Sequence, residues 1–100
     1  MDKKNLELSV AELSEANSQS LLANGFEDAY IGYAWQFNNE PLAVYDIGRC
    51  VQILVERDGM DLEEAQEYID FNLAGAWMGE GTPMLIKTEF EPYEGEEDGE

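Results

Sequence analysis

Between Asp61 and Ile86 apolar residues recur at helical spacing, and the expected fold is organised around that stretch. Leu62, Ala65, Ile69, Leu73 and Ala76 follow at steps of three, four, four and three, the spacing of one buried helical stripe. Tyr68 and Trp77 widen the stripe, while Glu63, Glu67 and Asp70 fall on the opposite, solvated side. Asp61 and Glu64 form a capping-box pair: the aspartate accepts from free N–H groups of the first turn and the glutamate reaches back to the cap. Gly79 and Gly81 give the chain the freedom to leave the helix, and Pro83 forces its predecessor into an extended conformation. A sharp turn is expected there, followed by a short strand in which Met84, Ile86 and Phe90 alternate with Leu85, Lys87 and Glu89.

Upstream, Ser9 and Glu12 make a second capping-box pair, and Val10, Leu13 and Leu21 suit a helix over residues 10–22 that Asn24-Gly25 closes. Residues 1–8 are expected to fray. From Ala29 the period changes to two. Ile31, Tyr33, Trp35 and Phe37 form a bulky face and Tyr30, Gly32, Ala34 and Gln36 a thin one. Asn38-Asn39-Glu40-Pro41 is turn chemistry and Leu42–Tyr45 is rich in strand formers, so residues 29–45 read as an antiparallel hairpin. Pro41 places the second strand at an edge or marks its start. Asp46 then caps a helix with Ile47, Cys50, Val51 and Leu54 on one face, ended by Arg57-Asp58-Gly59. Gly48 in its first turn costs helix propensity and permits close packing. Only Met60 separates this ending from Asp61, which predicts a tight helical hairpin.

The fold class is α+β: a three-stranded antiparallel sheet packed against two to three helices, in the order helix, strand, strand, helix, helix, strand. Residues 1–90 form one domain. The last ten residues carry six carboxylates and no base, and read as a disordered acidic tail. A mostly helical domain with a peripheral hairpin is the alternative.

Charge narrows the function classes. Twenty-three carboxylates face five bases, for a net charge of −18, and no Lys or Arg occurs between Lys4 and Arg49. Direct nucleic-acid binding needs clustered cations, and an anionic membrane would repel this chain. A basic protein surface is what such a charge attracts, and solubility alone is the plainer explanation. No apolar run approaches the ~20 residues of a membrane span or forms a signal peptide, and the lone Cys50 has no partner for an internal disulfide. A cytoplasmic protein is expected.

Catalytic chemistry has little support. The sequence holds no His, the commonest acid/base near neutral pH, and Cys50 lies on an apolar helix face as a structural thiol would. Glu63, Glu64 and Glu67 sit on a solvated face without a second set of ligands, so neither metal nor cofactor is expected. The loop Gly79–Pro83 follows a helix C-terminus, where the dipole repels anions, and reads as a structural turn. Asn72, within an apolar stretch, is expected to hydrogen-bond a neighbouring loop. Tyr30, Tyr33, Trp35 and Phe37 crowd one hairpin whose two faces both carry aromatics, so a ring left exposed beside carboxylates could anchor a basic partner.

Ala29 and Gly32, Tyr45 and Asp46, Glu64 and Ala65, Glu67 and Tyr68, Asn72, Gly75 and Ala76, Gly79, Thr82 and Pro83 follow a pattern in which an A-x-x-G strand precedes a YD helix start and an EA-x-EY-x-x-x-N-x-x-GA-x-x-G-x-x-TP run closes the domain. Over residues 26–90 the chain resembles a family of small phage, prophage and bacterial proteins of uncharacterised function. The resemblance implies a phage-associated origin and brings no catalytic or ligand-binding residue with it. The leading expectation is a phage-type acidic protein that docks on a basic surface of a host protein, in its specific form a nucleic-acid mimic that inhibits a host factor. Glu12, Glu15, Glu63, Glu67, Asp70 and the tail would carry the charge, with Trp35 or Phe37 as apolar anchors. The alternative is an assembly module that forms a homodimer through the sheet edge or the aromatic face.

Overall fold

Asp2, and not Ser9, starts the first helix: its carboxylate accepts the N–H of Asn5 at 2.8 Å. In the computed structural model, which describes residues 1–75 and 78–92, helix α1 runs Lys3–Ala16, so the segment expected to fray is its first half. Ser9 has another use, sharing a 2.8 Å hydrogen bond with the Tyr30 hydroxyl. The helix also stops earlier than its apolar pattern suggests. Buried Asn17 donates to the Pro41 carbonyl at 2.9 Å and accepts from the Gln19 N–H at 3.0 Å, so its carboxamide takes the chain out of the helix. Leu21 is left exposed beyond the helix, and Gly25 serves the turn before a short 3-10 helix at Glu27–Ala29.

Strand β1, Tyr30–Ala34, pairs antiparallel with β2, Leu42–Asp46, as the hairpin pattern predicts. The register shifts between Tyr30 and Gly32, a bulge that Gly32 accommodates at φ 144°. The bulge undoes the expected face assignment. Tyr30 is buried, edge-on to Tyr45 with centroids 5.6 Å apart, while Ile31 is exposed. The strand ends at Ala34, which leaves Trp35 and Phe37 in the hairpin loop and off any bulky strand face.

Two helices follow β2. Helix α2, Ile47–Asp58, is capped by Asp46, which accepts from the Arg49 N–H at 3.3 Å and from the Thr88 hydroxyl at 2.8 Å. At Gly48 a Cβ would lie 2.6 Å from the Phe90 carbonyl oxygen, so this glycine is there for packing. Gly59 closes the helix in the left-handed conformation. Helix α3, Leu62–Ile69, begins at the Asp61 carboxylate, which accepts from the Glu64 N–H at 2.7 Å.

Strand β3, Met84–Ile86, then pairs with β2 in parallel, in the sheet order β1-β2-β3. The antiparallel sheet expected from the sequence is therefore corrected to a mixed one. Because α2 and α3 return the chain to the end of the sheet from which β2 set out, β3 must run the same way as β2. β2 is central, and Pro41 marks its start.

The α+β class and the element order α1-β1-β2-α2-α3-β3 stand as read. One core unites all layers: Leu13 from α1, Tyr30 and Tyr45 from the hairpin, Val51 and Leu54 from α2, and Ala65 and Ile69 from α3. In the α3 stripe Leu73 is partly buried and Leu62 and Tyr68 sit at the exposed margin; Ala76, Trp77 and the tail over 93–100 lie outside the described residues.

Candidate functional site

Glu12 and Glu15 on α1, Glu63 and Glu67 on α3, and Asp70 just beyond it are all exposed. Among the described residues none of them enters an ion pair. Among the described residues the ion pairs are Arg49 with Asp46 at 3.6 Å, Arg57 with Asp58 at 2.9 Å and Lys87 with Glu91 at 2.6 Å. No group of three or more described metal-ligating side chains gathers in one place. Among the described residues these five carboxylates thus face water without a base to pair with.

At the hairpin end, Trp35 is 67% and Phe37 85% exposed. The Tyr33 ring lies 6.3 Å from that of Trp35, and its hydroxyl donates to Glu12 at 3.2 Å. That bond to a carboxylate is the main reason the phenol is held above its ordinary pKa. Glu12, Tyr33 and Trp35 are therefore contiguous. The turn beyond is closed by the Asn39 N–H on the Gln36 carbonyl at 2.8 Å, with Asn38 at φ 65°. Glu63, Glu67 and Asp70 belong elsewhere, because α3 packs on α2 and leads into the following turn. The carboxylates expected to act together thus form two groups.

Beside the segment that follows α3 lies a groove. After Ile69 the helix widens into a π-turn over Asp70–Ala74, closed by the Gly75 N–H on the Asp70 carbonyl at 2.9 Å. Asn72 donates back to the Tyr68 carbonyl in α3 at 3.1 Å, and not to a neighbouring loop as expected. Between the π-turn, residues 22–26 and residues 78–85 lies a groove of about 370 Å³. Leu22, Phe26, Leu73, Met78, Pro83 and Leu85 provide its apolar lining, with Asn24, Tyr68, Asn72 and Thr82 as polar members.

The glycine-containing loop is structural, and it builds one wall. The Thr82 hydroxyl accepts from the Met78 N–H at 2.8 Å and donates to the Gly79 carbonyl at 2.6 Å. The Gly81 carbonyl accepts from the Leu21 N–H at 2.9 Å, and a Cβ at Gly81 would run into the Gln19 carbonyl oxygen. The close approach that only glycine permits ties this loop to the segment after α1. Sequence reasoning missed this groove: Leu21 and Leu22 resemble a continuing helix, and three distant segments must meet before a concavity exists. Phe71, 80% exposed in the π-turn, was likewise not singled out.

Cys50 is fully buried, and its thiol is pushed up to about 12, first by burial and then by the nearby Asp46 carboxylate. It holds its proton at neutral pH. Asp46, also buried, is satisfied by Arg49 and Thr88 and has a structural role. Among the described residues no helix is long and apolar enough to cross a membrane. No family model matches the chain, and neither curated proteins nor solved structures gave a match.

Proposed function

We propose that the chain is an acidic binding protein that docks on a basic surface of another protein. The observation that carries this reading is the surplus of exposed carboxylates that no internal base neutralises, placed beside an aromatic side chain that no core covers. Long-range attraction would bring a cationic surface to such a body quickly, and Trp35 or Phe37 would supply desolvated contact once it arrives. A buried aromatic anchor of this kind typically contributes about 2 kcal/mol or more. Binding, and not turnover, is the proposed activity. The sequence has no imidazole, and its one thiol is protonated and enclosed.

In its specific form the protein is of phage type and acts as a nucleic-acid mimic on a host factor. The resemblance over residues 26–90 motivates the origin, and rows of carboxylates on α1 and α3 motivate the mimicry. Capture of host proteins on the immobilised full chain, at low and at moderate salt and with competing DNA or RNA, tests it. Retention of a nucleic-acid-binding protein that competing nucleic acid displaces is expected. Capture of nothing basic at either salt would remove the reading. A homodimer through the exposed hairpin end is favoured by the same Phe37 exposure. Sedimentation distinguishes it, since a monomer independent of concentration excludes it.

A further inference from the structure

The groove beside the π-turn differs from the rest of the acidic surface in being both concave and apolar. Its volume of about 370 Å³ falls within the ~300–1,000 Å³ of small-ligand pockets. Its mouth gathers apolar side chains that a monomer ordinarily covers: Leu22 is 42% and Met78 55% exposed, and Tyr68 stands at the rim. The walls are set in advance, because Thr82 and Gly81 fix the 78–83 loop and bind it to Leu21.

Charge decides what can enter. Glu64 precedes Tyr68 by one helical turn on the same side of α3, Glu80 lies in the loop between Met78 and Thr82, and the Glu27 carboxylate accepts from the Gly25 N–H at 3.2 Å next to Asn24. The nearby cation is Arg57, which stacks 5.6 Å over Phe26 and gives its guanidinium to Asp58 and to the Gly25 carbonyl. Its charge is held first by the Asp58 carboxylate, with Glu27 acting on it from nearby. Residues 93–100 carry five carboxylates and would be repelled from this rim, as would a second copy of a chain of net charge −18.

We propose that the groove seats one large apolar side chain of a cationic peptide segment, a partner element in which a Phe, Leu or Met is flanked by Lys and Arg. The segment would lay its bases against Glu27, Glu64 and Glu80 and insert the apolar residue between Leu22, Tyr68 and Met78. This assignment rests on the docking role proposed above and names the chemistry that role requires at this site.

The test uses the full chain and two synthetic peptides: a Lys/Arg-rich peptide with one central Phe, and the same peptide with Ser in its place. Calorimetric titration at low salt is expected to show the Phe peptide binding at least about tenfold more tightly, the equivalent of ~1.4 kcal/mol. Leu22→Gln and Tyr68→Ala change exposed rim positions, and Asn24→Trp fills the mouth from an exposed loop; each should abolish the advantage of Phe, while Leu8→Ala, at an exposed position of α1 outside the groove, should keep it. A far-UV circular dichroism spectrum verifies that each variant is folded. Equal binding of the two peptides would overturn the groove assignment and leave the docking role standing. So would an advantage that survives in two folded groove variants. Failure of both peptides to bind at low salt would overturn the docking role, and the groove assignment with it.

Discussion

Two regions of the molecule, the hairpin tip and the groove beside the π-turn, carry the same sign of charge on different shapes. At the hairpin end, Trp35 and Phe37 project from a loop, next to Tyr33 and Glu12. At the π-turn end, the apolar residues line a hollow whose walls are cross-braced by Thr82 and Gly81. One end can insert a side chain into a partner and the other can receive one. The difference also divides stability from binding: the groove is built of packing the fold needs, whereas the Trp35 and Phe37 side chains stand in solvent.

Cys50 reports on that division most sensitively, because it lies in the core and only opening of the fold exposes it. Thiol labelling at mildly alkaline pH is expected to be slower than in the unfolded chain by roughly 1,000-fold or more, since only opening of the fold exposes a protonated, buried sulfur. Gly81→Ala should accelerate it and Trp35→Ala should not. The pH dependence has a definite sign. Below the ordinary thiol value of 9.0 both states hold the proton; above it the unfolded chain releases the proton and the folded one keeps it to about 12. This group therefore withdraws stability as pH rises from 9 towards 12, and Cys50→Ala should flatten that limb of the profile.

Next in size is the stability cost at the groove. Gly81→Ala drives a Cβ into the Gln19 carbonyl and should cost roughly 1–3 kcal/mol in urea unfolding. Trp35→Ala and Phe37→Ala should stay within about 0.5 kcal/mol of the parent, as exposed substitutions do. A comparable loss at both ends would break the comparison. In binding the hairpin residues should matter instead: Trp35→Ala is expected to weaken a captured basic partner by about 30-fold if the ring is an anchor, near 2 kcal/mol. Thr82→Val, which removes two hydrogen bonds of the groove loop, should cost about 1 kcal/mol, with chemical denaturation as the measure.

Where local chemistry decided the structure, the sequence was readable. Asp46 and Asp61 cap the helices assigned to them, Gly59 ends α2, and the 29–45 hairpin pairs as its period-two pattern and turn residues indicate. What was not legible depends on distant partners. Asn17 leaves the helix because Pro41 offers it a carbonyl 24 positions away. Ser9 resembles a cap until Tyr30 claims its hydroxyl. Strand direction in β3 is set by how the helices return the chain, which three apolar residues do not encode. Of the candidate site, the exposed carboxylates could be read from their spacing opposite an apolar stripe. The concavity could not, because Leu22, Tyr68 and Met78 meet only in the folded chain.

Residue-resolved NMR titration of the labelled chain with a Lys/Arg peptide free of apolar residues addresses most directly whether its uncompensated negative charge is a docking surface. At low salt, shift changes are expected along the exposed faces of α1 and α3, at Glu12, Glu15, Glu63, Glu67 and Asp70, fading as salt is raised. Unchanged spectra at low salt, or changes indifferent to salt, would contradict the account.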